Sequence, residues 1–515
     1  MNKCCISIRI QGEQKKIWVK KGANLYQSLV ETGFVFNSYC GGKGTCGKCK
    51  VKILSDQPSI VLACRVQVDR DVSIEIPTPT NIQDILVEGF AIQLDTSDSN
   101  DGYGVAIDIG TTTIAMYLLD LNSGDEIGAV AYANPQLQFG ADVISRINYT
   151  LEHPNGIVVL QKVLIKVLND GVTKLVKAAG LTTEDLNSVA IVGNTVMLHT
   201  LMGVSAESIA NAPFTPIFVD ELVLSPSDLD LNINQQSRVF VLPSVSGYIG
   251  ADILADLLAT EFINSEKPNL LIDIGTNGEI VLGSKDELLA CSAAAGPAFE
   301  GAKITCGTAS INGAISHIKL TLDGKIRYTT IGNRSPVGIC GSGLIDLIAE
   351  LVQQGIVLES GAFALEQEIP SLYRERLVMH QGMRAFVIEE GILLTQKDIR
   401  EFQLAKGAIA AGIQVLLKES KIDLTEIKHL YLAGGFGTYL DPIQASKVGL
   451  FPAPLTAKAV KLGNAAGSGA KLYLLSKKHQ KYLQKFRSKI KYIELSGHPD
   501  FQEEFINGMT IGGWK

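Results

Sequence analysis

At 515 residues the chain is long enough for roughly two to four domains with sizeable cores, and 46% hydrophobic with 19% charged residues excludes a disordered chain. A formal net charge of −7 argues against a general nucleic-acid binder, which needs a basic surface. The start, MNKCCISIRIQGEQ, has no apolar signal-peptide core, the apolar stretch 407–417 is too short to span a bilayer, and no charge run suggests a polybasic anchor. A cytoplasmic protein without a membrane partner is therefore expected, in which nine cysteines serve as metal ligands or buried small hydrophobes rather than disulfides.

Along the chain, residues 4–10 and 16–20 read as strands and 24–32 as a short helix with Gly33 as its stop signal. The loop YCGGKGTCGKC (39–49) follows, and then strand-like runs at 48–54, 60–68 and 72–76. Strands around one helix predict a compact module over 1–76 with a metal loop on its edge. Pro77-Thr-Pro79-Thr and DTSDSND (95–101) break the pattern, so 77–103 reads as a linker. From Gly104 strands and helices alternate to the end, which predicts an α/β domain over 104–515.

Cys40, Cys46, Cys49 and Cys64 are spaced C-x5-C-x2-C, then fourteen residues, then C. Four thiolates are what a 2Fe-2S cluster needs, and three in one loop can wrap it from one side. Gly41, Gly42, Gly44 and Gly47 let backbone N–H groups approach the sulfurs, which tunes such a cluster. A tetrahedral zinc site is the alternative, but a zinc ribbon offers two C-x2-C knuckles and this loop has one. The first three cysteines resemble ferredoxins of the adrenodoxin type, whereas the fourth comes much earlier than in those proteins. Cys4, Cys5, Cys291, Cys306 and Cys340 do not cluster and read as buried fillers or bystanders.

An internal echo marks the larger part. VAIDIGTTT (105–113) is matched by LLIDIGTNG (270–278), each an apolar strand ending in Asp-Ile-Gly-Thr and a tight turn. The repeat predicts two similarly folded lobes, 104–260 and 261–515, facing one cleft. Gly110, Thr111, Thr112 and Thr113, with Gly275, Thr276, Asn277 and Gly278, present N–H and hydroxyl donors where phosphate oxygens can sit. Asp108 and Asp273 at the strand ends suit Mg²⁺ held directly or through water. The run YLAGGFG (431–437) sets Gly434, Gly435 and Gly437 where a flat ligand can pack. Asp252, and Glu300 in AGPAFEG, are the carboxylates that can orient an attacking water.

The ordered series 108–113, 247–257, 273–279, 433–437 and 463–475 resembles the sugar-kinase, chaperone-ATPase and actin superfamily, with its two phosphate turns, adenosine turn and two connecting helices. The implied architecture is an α+β, β-grasp ferredoxin domain followed by a two-lobed α/β actin-like ATPase, a ribonuclease-H-like duplicate. Nearly the whole chain resembles reductive activators of corrinoid-dependent enzymes, through NPQLQFGADVISRI (134–147), VGNTVMLH (192–199), SGYIGADI (246–253), CSAAAGPAFEGA (291–302), GICGSGLID (338–346), LTQKDIREFQLAKGAI (394–409) and GNAAGSGA (463–470). That resemblance implies ATP-dependent one-electron reduction of Co(II) to Co(I) through a 2Fe-2S cluster, with ATP and Mg²⁺ as further cofactors. Its implied partners are a corrinoid protein of a methyltransferase or demethylase system and a low-potential electron donor, with homodimerisation possible in this family. Family members often carry a further domain where this chain has only the segment 77–103. If flexible, that segment reaches roughly 25–30 Å. Two other readings stay open at this point: another low-potential acceptor, such as a radical dehydratase, and a redox-sensing nucleotide-binding protein.

Overall fold

The computed structural model describes residues 3–10, 13–32, 34, 42, 44, 49–55, 58–76, 102–260, 262, 264–435, 437–512 and 514. Cys40, Cys46, the stop signal Gly33 and nearly all of the expected linker lie outside the described residues.

The N-terminal module is a five-stranded mixed sheet in the order Glu13–Lys20, Lys3–Ile10, Val72–Glu75, Lys50–Ile53, Ser59–Leu62. Lys3–Ile10 pairs antiparallel with Glu13–Lys20 and parallel with Val72–Glu75, the mixed pairing expected of a β-grasp. Helix Leu25–Glu31 starts where the Asn24 side chain accepts from the Gln27 amide at 3.2 Å, satisfying an otherwise unpaired donor. Leu25 and Leu29 lie one helical turn apart, so they face the sheet together and pack with Ile6, Ile8 and Ile74. The run 60–68 is not one strand. It breaks after Leu62 into a 3-10 turn, Ala63–Arg65, because the Ala63 amide bonds the Cys49 carbonyl at 2.8 Å and the Asn24 side-chain amide holds the Cys64 carbonyl at 2.9 Å. Those bonds bring Cys64 to Cys49.

The repeat seen in sequence is a structural duplication. One six-stranded sheet runs Glu126–Ala133, Thr113–Asp120, Tyr103–Ile109, Leu186–Gly193, Arg238–Val241, Leu222–Leu224. The other runs Ala459–Gly463, Leu430–Ala433, Asn269–Ile274, Gly278–Gly283, Leu288–Ala293, Ile490–Tyr492. In each sheet an Asp-Ile-Gly-Thr strand is antiparallel to the strand after its turn and parallel to a later strand on its other side. These central strands are apolar almost throughout because both faces are covered. Helix Ala465–Leu475 returns to the first sheet, where it packs with helix Ala251–Leu258 into one core. A Cβ on Gly469 would sit 2.0 Å from the Ala255 carbonyl oxygen, so the two helices approach at a distance only glycine permits. Among the described residues no helix is long and apolar enough to cross a membrane.

Candidate functional site

The two duplicated turns face each other across a single cleft. Its lining includes Asp108, Gly110, Thr111, Thr112, Thr113, Asp252, Asp273, Gly275, Thr276, Asn277, Glu300, Gly434 and Gly435, so thirteen of the candidates come together. Gly278 and Gly437 are not in that lining. Gly278 opens a strand and pairs with Ala293, while the Gly437 amide closes the glycine turn on the Gly434 carbonyl at 2.9 Å. Gly434 has φ of +94°, and a Cβ there would lie 2.6 Å from an Asp273 carboxylate oxygen, so the turn rests directly on the second aspartate.

Glu300 stands between the turns, in the loop after Leu288–Ala293. Its carboxylate accepts from the Thr112 hydroxyl at 2.7 Å and, through its other oxygen, from the Thr276 hydroxyl. One side chain thus bridges both halves of the duplication. Behind the first turn, buried Arg146 donates to the Thr111 carbonyl, to the Gly140 carbonyl at 3.0 Å and to the Gln136 side chain at 3.2 Å. Asn134 donates to the Gly110 carbonyl at 2.8 Å and Asn194 to the Thr111 hydroxyl at 3.0 Å. The turn is therefore held by side chains from three separate segments. Asn464, capping helix Ala465–Leu475, donates to Asp108 at 2.9 Å and links the first turn to that helix.

Acidic side chains crowd this space. Burial pushes Asp108 up to about 7, against the lowering effect of Asn464, and Asp273 adds to the rise. Asp252 is pushed up to about 8, first by burial and then by Asp273 and Asp108. Burial also raises Asp273, Glu279 and Glu300, and raises Asp256 well above the usual carboxylate range. For Glu300, the Thr276 and Thr112 hydroxyls and the Arg146 charge oppose that rise. Burial takes Arg146 down to about 9. Such a cluster disfavours its own ionisation and favours a cation brought among it. Yet among the described residues no three His, Cys, Asp or Glu side chains group tightly enough to hold a metal ion unaided.

At the N-terminal module the Cys49 and Cys64 sulfurs lie 3.2 Å apart as free thiols. Arg65 donates to the Gly44 carbonyl at 2.9 Å and ties the cysteine loop to the 3-10 turn that carries Cys64. Two converging thiols next to a glycine-rich loop fit half of a four-thiolate cluster site. Cys4, Cys5, Cys291 and Cys340 are buried, and burial pushes the Cys291 and Cys340 thiols up, as befits unreactive fillers. The module touches the ATPase part where the Tyr26 hydroxyl donates to the Gln138 carbonyl at 2.6 Å, in the turn that Asn134 caps.

Asp256, Arg146, Asn134 and Asn194 are site residues that spacing does not disclose. Asp256 repeats Asp252 one helical turn on, which is the only sequence signal for it.

Comparison with known proteins agrees with this geometry and corrects one expectation: the family's middle region is present in this chain at 103–265, rather than replaced by the segment 77–103. The family model for the C-terminal domain of RACo, the ASKHA domain, matches residues 267–514, that for the RACo middle region matches 103–265, and a 2Fe-2S iron-sulfur cluster binding domain matches 8–69. The corrinoid activation enzyme RamQ of Eubacterium limosum is 35% identical over 80% of this chain and 70% of its own. The chain belongs to the RACo family of corrinoid activators. Another relative, the [Co(II) methylated amine-specific corrinoid protein] reductase of Methanosarcina barkeri, is 26% identical over 73% of this chain and 70% of its own. A solved reductive activator for corrinoid, iron-sulfur protein is 29% identical, with a TM-score of 0.75 over 98% of both chains. A RACo-family fold with an N-terminal ferredoxin domain and an ASKHA ATPase accounts for both sites.

Proposed function

We infer that this RACo-family chain carries out ATP-dependent reductive activation of a corrinoid protein, returning inactive Co(II) to Co(I) with one electron. The observation that carries the reading is the union, in one chain, of converging thiols with a duplicated phosphate cleft. The electron comes from a low-potential donor, and the acceptor is the partner's cobalt. For one electron, each ~59 mV of unfavourable gap costs a factor of ten in equilibrium, which is why nucleotide energy is coupled to the transfer.

Cys40, Cys46, Cys49 and Cys64 are the residues that would hold a 2Fe-2S cluster, which supplies a one-electron carrier when bound. In the cleft, the Thr112 and Thr276 hydroxyls and the turn N–H groups bind phosphate oxygens. Asp108 and Asp273 would hold Mg²⁺, directly or through water, and its positive charge would favour their ionised forms despite burial. Phosphate competes with Glu300 for the two threonine hydroxyls it now occupies. The freed carboxylate then orients the attacking water, with Asp252 as the second candidate for that role. Gly434 and Gly435 pack against the base. The domain layout we propose is 1–76 for the ferredoxin part, 77–103 for the linker and 104–515 for the ATPase.

The reading is tested by ATP hydrolysis measured anaerobically with and without a Co(II) corrinoid protein. Turnover stimulated by that partner is expected. Turnover indifferent to every corrinoid protein offered, by a chain with an intact iron–sulfur spectrum, would move the reading to another acceptor.

A further inference from the structure

The first sheet ends in a short strand, Leu222–Leu224, paired with Arg238–Val241 and, among the described residues, with nothing on its outer side. Val223 on this edge is 60% exposed and Ile217 before it 63%. Next to it runs helix Lys477–Arg487, KKHQKYLQKFR, with five lysines and arginines and no acid, in a chain whose net charge is −7. Between the face of the last three strands and this helix lies a groove of about 520 Å³, lined among others by Ser188, Val223, Arg238, Lys477, Gln480 and Lys481.

The charges in this groove are unequal in freedom. Its acid, Glu221, is held by the Tyr473 hydroxyl and the Gln484 side-chain amide, and neighbouring Asp220 pairs with Arg487 at 2.7 Å. The side chains of Arg238, Lys477 and Lys481 have no ion pair or hydrogen bond among the described residues. The Ser188 hydroxyl is buried with no hydrogen-bond partner there. Exposed apolar side chains at the groove's mouth offer contact, and unpaired cations select charge.

We propose that this groove docks an extended acidic segment of the partner protein, which lies over the sheet face beside Val223 and sets its carboxylates against Arg238, Lys477 and Lys481. The proposal rests on the reading that the chain must dock a partner protein, and it names the surface and the partner's chemistry. A local basic patch on an acidic molecule orients an acidic partner during encounter, so its effect is on capture and fades as salt rises. A nucleic acid is disfavoured as occupant because the chain as a whole would repel it.

The test uses the full chain carrying Arg238→Glu, Lys477→Glu and Lys481→Glu. A control with Lys162→Glu, Lys166→Glu and Lys177→Glu makes the same charge change on helix Gly156–Ala178. At low salt the groove variant should raise the KM for the corrinoid protein about tenfold or more, the control less than about twofold, and 0.5 M salt should narrow the gap. Hydrolysis of ATP without partner should be equal in all three proteins. An unmoved KM, or equal shifts in groove variant and control, overturns the proposal. Fluorescent octaglutamate provides a readout independent of cobalt: its anisotropy should rise with native protein and not with the groove variant. Binding of oligothymidylate but not octaglutamate also overturns the proposal. A native protein that reduces no corrinoid protein refutes the functional reading instead, and the octaglutamate result still decides the groove.

Discussion

Asp252 sits in the first turn of helix Ala251–Leu258 with Asp108, Asp256 and Asp273 around it, and its ionisation should be visible as a pH-dependent cost to the nucleotide-free protein. Its carboxyl rises from the ordinary 3.8 to about 8, mainly through burial. Between those values the folded chain holds a proton that the unfolded chain has released. The sign follows: stability is full below the unfolded value and falls as pH rises toward 8. One such group changes the unfolding free energy by about 1.4 kcal/mol per pH unit. Asp252→Asn has no proton to hold, so its advantage over the native chain should grow by about 2–3 kcal/mol between pH 5 and pH 7, the lower figure allowing for solvent in the cleft. Urea unfolding with EDTA and no nucleotide measures it, followed by fluorescence of Trp514, which packs on the second-lobe core. Saturating Mg²⁺ and ATP should flatten the native slope, because the cation stabilises the ionised cluster. A constant offset between variant and native curves across this pH range would refute the reasoning.

Glu300→Gln keeps the size of the bridge but loses the charge and one acceptor, so ATP should still bind while its turnover falls by about 10²–10⁴, read by steady-state hydrolysis. Cys64→Ser should abolish the iron–sulfur absorption and partner reduction while ATP still binds, measured by visible spectroscopy and equilibrium dialysis. Gly469→Ala places a methyl against the Ala255 carbonyl and should destabilise the ATPase part by about 1–3 kcal/mol, checked by thermal unfolding.

The elements most legible in the sequence are those whose physics is local. A strand ending in Asp-Ile-Gly-Thr carries both its burial and its turn in nine letters, and its second copy marks the duplication without reference to packing. The cysteine spacing was equally local, although the break at Leu62 was not. The apolar run 60–68 favours a strand, and it is the Cys49 carbonyl and the Asn24 amide that bend it. What spacing hid is what assembly creates. Asn464 reaches Asp108 across 356 positions, and Glu300 reaches Thr112 across 188. Nothing local gives Arg146 a role, and only the fold buries it against the Thr111 carbonyl. Gly278 and Gly437 look like ligand contacts because glycine marks a turn, whereas here strand pairing and turn closure use them.

The most direct test of the account is anaerobic spectroscopy of the pre-reduced protein mixed with a Co(II) corrinoid protein, following the Co(I) absorption band with and without Mg²⁺ and ATP. The account predicts Co(I) only when ATP is present and none with Cys64→Ser. Co(I) forming at the same rate and extent without nucleotide would contradict the coupling of the cleft to electron transfer.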